Sequence, residues 1–273
     1  MCQNDPNSKG LHNIKLVLDN LNESIPQLSI DCVIFGFNNN ELKILLSKFA
    51  EFDLWALQAG FVRQDEDIDF AAQRIFEERT GLRNIYLHQF HVFGKADRPT
   101  SDFLEKKLYK SGYNIEDFPF LKQRFVTIGY YSLVDFQKVV PANVLMFEQI
   151  EWFDINCLPL IAYDHKEIIL KALDTLRTTL DYSLVGFNLM PETFTMNELQ
   201  KLYETILDEK LSRNNFQRKI LEMDILVRLE KKLTGEAHKA PYLYQFKKNQ
   251  NNQENFKQDR VKKRMEKEGD YQI

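Results

Sequence analysis

Residues 60–82 read GFVRQDEDIDFAAQRIFEERTGL. Ile68, Ala71, Ala72, Ile75, Phe76 and Arg79 recur at three- and four-residue spacings, which predicts a helix over 68–80. Gly81 follows at once, at the position where helices end in a left-handed residue that glycine adopts without strain. Positions 75, 78 and 79 share one helical face. They hold Ile75, Glu78 and Arg79. Glu77 lies two residues from Ile75 and points to a different side.

The surroundings of this helix are strand-like. LSIDCVIFGF (28–37) and LKILL (42–46) flank the turn-forming Asn38-Asn39-Asn40 and read as a hairpin. WALQAGFV (55–62) is a third extended segment. Further strands are expected at about 86–94, 125–134 and 150–154. His88 and His91 are three apart on the first of these, which places them on opposite faces and argues against a metal pair. Residues 98–123, with Pro99, Gly112 and Pro119, form a long mixed segment of the kind that is functional or disordered. Asp164 to Asp181 is amphipathic, with Asp164 as N-cap and His165 expected at the surface. GFNLMPETF (186–194) is a connector.

These readings divide the chain into an N-terminal arm (1–25), a first domain (26–160), a linking helix and connector (161–193), a second domain (194–248) and a polar tail (249–273). The 273 residues, 44% of them hydrophobic, suffice for two cores. No apolar run reaches the about 18 residues of a membrane helix, and the polar start MCQNDPNSKG lacks the apolar core of a signal peptide, so neither is expected. Cys2, Cys32 and Cys157 make neither a disulfide framework nor a zinc site, so a cytoplasmic protein is expected. Charge is uneven. Residues 1–193 hold 19 Lys and Arg against 27 Asp and Glu, whereas 194–273 hold 17 against 13. An acidic front and basic back suit a sensor joined to a polyanion binder.

Within 194–246, Thr195 and Glu198 form a capping box ahead of a helix whose apolar face is Leu199, Leu202, Tyr203 and Ile206. After the turn DEKL, Ser212 is a plausible N-cap for a second helix that displays Arg213, Asn214, Asn215, Gln217, Arg218 and Lys219. Its Phe216, Ile220 and Met223 are expected to face inward. Two strands, about 225–232 and 241–247, flank LTGEAHKAP, with Lys231, Lys232, His238 and Lys239 at the tip. Helix, turn, helix and wing suit duplex DNA: Arg reads guanine, Asn and Gln read adenine, Ser and Lys grip phosphate. The expected DNA-binding residues are Ser212, Arg213, Asn214, Asn215, Gln217, Arg218, Lys219, His238 and Lys239.

Two resemblances extend these readings. Gly60, Glu66, Arg74, Phe76, Glu78, Gly81 and Leu82 stand at the spacings of the Nudix box, over about residues 27–160. The resemblance implies an α+β fold, an α/β/α sandwich with a mixed sheet, and in Nudix enzymes a divalent metal held by glutamates at positions 75, 78 and 79. Here those positions are Ile75, Glu78 and Arg79, so the expectation is a domain that is no enzyme and carries no catalytic residues, metal or cofactor. The alternative is a divergent magnesium-dependent hydrolase of ADP-ribose or nucleotide sugars. The phrases EQIEWFDI, YDHKEIILKAL, GFNLMPETFT, RNNFQRKILEMDIL and GEAHKAPYLYQF extend the likeness to about 27–247. They resemble the Nudix-related transcriptional regulators, which add a winged helix-turn-helix domain. That resemblance implies a homodimeric regulator, expected to be a repressor, on a palindromic double-stranded DNA operator. It also implies a small effector in the former Nudix pocket, ADP-ribose-like in some branches and a sugar in others. The altered ligand positions favour a sugar such as a pentose. By fold position the effector residues are Trp55, Gln58, Arg63, Glu78, Arg79, Phe93 and Tyr130.

Overall fold

A computed structural model of the chain describes residues 23–49, 53–83, 85–98, 109, 114, 116, 122–139, 147–178, 189–232 and 240–247. Nearly all of the N-terminal arm, most of 98–123, the connector up to 188, the wing tip with His238 and Lys239, and the tail lie outside the described residues. The chain divides into two compact units, residues 1–191 with 197–211, and residues 192–196 with 212–273.

The first unit is built on a seven-stranded mixed sheet. Its long strand β1 (Ser24–Asn38) pairs antiparallel with β2 (Glu41–Phe49) near its end and with β4 (Gln58–Arg63) along its first half. On its other edge β1 runs parallel to β6 (Val126–Val134), beyond which lies β5 (His88–Phe93). Strands β3 (Trp55–Ala56) and β7 (Phe147–Asp154) both pair with β2. The segment 55–62, expected as one strand, is thus two. Leu57 separates them because its N–H leaves the ladder and donates to His165 Nδ1 at 3.0 Å.

Helix α1 (Ile68–Thr80) ends as expected at Gly81, whose φ is 71°. It covers one face of the sheet. Ala71, Ala72, Ile75 and Phe76 pack with Ile30, Cys32, Ile34, Leu45, Val62, Ile128 and Tyr130. Ile68 departs from the expected apolar face: it is exposed at the first turn. Gly60 is needed for space. A Cβ there would stand 2.7 Å from two side-chain carbons of Ile75. Gly60→Ala is therefore expected to destabilise by about 1–3 kcal/mol through overpacking. Urea unfolding checks this, and the Ile75→Ala background should absorb most of the loss.

The opposite face meets α2 (His165–Thr178), which buries Ile168, Ile169, Ala172, Leu173 and Leu176. Here the sequence expectation for His165 is corrected. It is buried, accepting from Leu57 N–H on one nitrogen and facing Asp31 Oδ2 at 3.8 Å with the other. Asp164 holds the N-cap place through its carbonyl, which accepts from Ile168 N–H at 3.1 Å. Its carboxylate instead takes a two-pronged ion pair from Arg98, at 2.6 and 2.8 Å. Arg98 also donates to Thr127 Oγ1 at 2.6 Å and Phe125 O at 3.0 Å. The His88 and His91 expectation is corrected too. A register shift between Gln89 and His91 sets His88 opposite Tyr131 and His91 opposite Gly129, so both stand on one face.

Helix α3 (Met196–Leu207) buries Leu199, Leu202, Tyr203 and Ile206, as its periodicity requires. From Asn197 onward it belongs to the first unit. Arg177 Nε donates to Ile206 O at 2.7 Å and Thr205 Oγ1 to Asn40 O at 3.1 Å. Glu204 Oε1 accepts from Gln200 Nε2 and from Leu211 N–H, folding the turn after α3 back on the helix. These hydrogen bonds hold its carboxyl down at about 2.

In the second unit β8 (Phe194–Thr195), β10 (Tyr242–Phe246) and β9 (Leu226–Lys231) form an antiparallel sheet in that order. Helix α4 (Arg213–Glu222) buries Phe216 and Ile220. Met223, expected inside, is exposed, because it stands past the last helical turn at the C-cap. Ser212 occupies the N-cap, but its side chain makes no capping hydrogen bond.

Candidate functional site

Two places on the chain combine exposure with directed chemistry. The first is the loop and helix of residues 63–79. Glu66 lies at its centre. Arg74 donates to Glu66 through Nε at 2.9 Å and Nη2 at 2.6 Å, and Arg63 N–H adds a third bond at 2.8 Å. The bond from Arg74 leads in holding the Glu66 carboxyl below the ordinary carboxylate range. Arg74 Nη2 also reaches Phe61 O at 2.9 Å, tying α1 to β4. Glu66 thus shapes the loop, as its place in the motif suggests. Beside it opens a cleft of about 700 Å³ lined by Gln64, Asp65, Glu66, Asp67, Phe70 and Arg74.

The three positions at which a Nudix enzyme holds metal are fully accounted for. Ile75 is buried in the core against Gly60. Glu78 is exposed and pairs with Arg74 at 3.3 Å. Arg79 turns inward, donating from Nη2 to Ala59 O at 3.0 Å, and burial brings its pKa down to about 10. It remains a cation at neutral pH. An alkyl group, one carboxylate and a guanidinium do not fit a hard divalent ion. Among the described residues no group of three or more His, Cys, Asp or Glu could hold a metal ion.

The sheet separates the seven expected effector residues. Gln58, Glu78, Arg79 and Tyr130 lie on the α1 side. Gln58 is fully buried, bridging Ser47 Oγ and Leu45 O. Tyr130 donates its hydroxyl to Asp69 Oδ1 at 2.7 Å, and burial pushes that hydroxyl's pKa up. Trp55 and Phe93 lie on the other side. The Trp55 ring meets Phe153 with centroids 4.5 Å apart, and Phe93 covers Gly129 with Phe90. Arg63 sits at the end of β4 beside the loop. Only Arg63 and Glu78 adjoin the cleft, through their bonds to Glu66 and Arg74.

On that second face lies a charged group the sequence did not disclose: Asp31, Arg98, Asp164 and His165. Burial raises the Asp31 carboxyl and lowers the His165 imidazole. Burial opposes ionisation of Asp164, yet the hydrogen bonds and charge of Arg98 hold its carboxyl below the ordinary value. The available signal was Asp31 itself, a lone carboxylate in the apolar run LSIDCVIFGF.

The second place is the surface of α4. Ser212, Arg213, Asn214, Asn215, Arg218 and Lys219 are exposed and Gln217 is half-buried, so the expected DNA-binding residues of this helix share one accessible surface. Arg218 approaches Glu222 at only 3.9 Å, an exposed pair of little energetic weight. His238 and Lys239 fall outside the described residues. No described helix is long and apolar enough to cross a membrane.

Comparison with known proteins bears on both places. Residues 186–246 match the family described as the NrtR DNA-binding winged helix domain. The chain is 29% identical over 229 residues to the ADPR responsive transcriptional repressor NtrR of Acinetobacter baylyi, covering 81% of this chain and 82% of that protein. NrtR of Shewanella oneidensis in complex with a 27mer DNA is similar in structure, with a TM-score of 0.62 and 24% identity, over 81% of this chain and 94% of that one. A MutT/nudix family protein from Enterococcus faecalis matches with a TM-score of 0.57 and 21% identity, over 82% and 88%. The fold is therefore a Nudix-like mixed sheet with helices joined to a C-terminal winged helix domain, as the sequence implied.

Proposed function

We propose that the chain, a Nudix-related transcriptional regulator, is a repressor that binds an operator through α4 and its wing and answers to ADP-ribose or a close relative of it. The match of residues 186–246 to a DNA-binding winged helix family, over the segment that displays Arg213 to Lys219, carries this reading. The relative from Acinetobacter supplies the effector class by its name. The sequence-based preference for a sugar gains no support from these relatives, and ADP-ribose takes its place.

Arg63 is the cation proposed to meet the diphosphate. Glu78 and the carboxylates lining the cleft are hydrogen-bond acceptors for ribose hydroxyls. Binding would favour one arrangement of a homodimer over another and so alter operator affinity. Within the first unit, Arg177 Nε donates to Ile206 O and Thr205 Oγ1 to Asn40 O, so α3 is held to the unit that would bind the effector. Such a protein works in the cytoplasm, and hydrolysis is not part of its action.

The test uses purified full-length protein, a duplex from its own upstream region, a scrambled duplex and a salt series. Sequence-preferring binding that weakens steeply with salt is expected. Retention of neither duplex at any salt would defeat the reading. With magnesium and ADP-ribose, no turnover is expected. Turnover abolished by Glu78→Gln would restore the hydrolase.

A further inference from the structure

The wing sheet carries an arrangement that a base-reading helix does not explain. Tyr242 pairs with Lys231 and Tyr244 with Arg228, three residues of β9 spanning two of β10. Residues three apart on a regular strand face opposite ways, and the extra residue reverses that. Arg228 and Lys231 therefore both reach one ring. The Arg228 guanidinium carbon lies 4.7 Å and the Lys231 ammonium 5.5 Å from the Tyr242 centroid. All three side chains are exposed.

Two cations held at one ring repel each other, and the electron-rich face of the ring offsets this only in part. Carboxylates answer other cations nearby: Lys247 pairs with Asp224 at 2.6 Å. Among the described residues no carboxylate pairs with Arg228 or Lys231, and Glu230, between them in sequence, is no exception. An anion placed against both would remove the repulsion.

We propose that Arg228, Lys231 and Tyr242 form a seat for one backbone phosphate of duplex DNA. This rests on the DNA-binding reading and adds to it a contact that carries salt dependence and no sequence preference. Guanidinium supplies paired N–H donors and ammonium a mobile charge. The ring holds both cations near their bound positions, so little freedom is lost on binding.

The experiment titrates full-length protein with its upstream duplex and a scrambled duplex between about 50 and 200 mM salt. Arg228→Ala is expected to lower affinity about five- to tenfold for both duplexes and to reduce the logarithmic salt slope by about 0.9, one phosphate's worth. Tyr242→Leu should lose a smaller part. Lys231→Ala should cost less in the Arg228→Ala background than alone, because the two serve one phosphate. Inorganic phosphate in place of sodium chloride at matched ionic strength should compete weakly with the wild type and not with Arg228→Ala. Unchanged affinity and slope in both Arg228→Ala and Lys231→Ala, with the wild type still binding, would overturn the seat and leave the DNA-binding reading standing. A loss confined to the upstream duplex would also overturn it, since the pair would then read bases. A wild type that binds no duplex would overturn both.

Discussion

Arg98→Ala is expected to lower the unfolding free energy by about 3–5 kcal/mol, read as a fall in the urea midpoint. The side chain is 9% exposed and its partner Asp164 is 10% exposed. Truncation leaves the Asp164 carboxylate buried without its cation and removes the Arg98 donors from Phe125 O and Thr127 Oγ1, of which Thr127 Oγ1 keeps its bond with Ser29 Oγ. The double replacement Arg98→Met with Asp164→Leu should recover part of the loss, because it removes the unpaired charge. The pH dependence has a definite sign. The Asp164 carboxyl lies below its ordinary value of 3.8, so the pair's contribution is full above that value and fades as pH falls through the lower, native one. The deficit of Arg98→Ala should therefore shrink in strong acid. A deficit that grows in acid, or one under about 1 kcal/mol at neutral pH, would contradict a buried ion pair.

The second large effect is on DNA. Arg213→Ala combined with Arg218→Ala is expected to weaken operator binding by about a hundredfold or more, at about 1–3 kcal/mol for each base-reading arginine. Both side chains are exposed on α4, while Phe216 and Ile220 hold the helix to its unit, so the thermal unfolding midpoint should not move. The preference for upstream over scrambled duplex should fall with affinity. A loss equal on both duplexes would assign the two arginines to phosphate instead.

The parts of this fold that the sequence disclosed are those set by local rules. Helix α1 is bounded where its periodicity and Gly81 place it, and α3, α4 and the two wing strands lie within two residues of their expected ends. The failures come from long-range contacts. His165 reads as a surface residue at a helix start, and the partners it meets inside, the Leu57 N–H 108 residues away and Asp31, are distant in sequence. The same bond splits the expected strand 55–62. The bulge in β5 that turns His88 and His91 to one face leaves no mark in a pattern of alternating residues.

The candidate site follows the same division. Ile75 and Arg79 at the metal positions, and the polar surface of α4, are visible residue by residue. The placement of Trp55 and Phe93 across the sheet from Gln58, Arg79 and Tyr130 depends on which face of each strand meets α1. Arg98 and Asp31 escaped for a related reason: a charge inside the fold is meaningful only beside its partner, and the partners lie 66 residues apart for Arg98 and Asp164.

In the proposed regulator one chain would join effector binding to operator binding. Fluorescence anisotropy of a labelled upstream duplex, held at half-saturation by the full-length protein without magnesium, tests it when ADP-ribose and a panel of pentoses are added in turn. ADP-ribose is expected to release the duplex in a saturable manner and to be recovered intact, and pentoses are expected not to release it. A duplex that stays bound at every ADP-ribose concentration, or release that proceeds only as ADP-ribose is consumed, would contradict it.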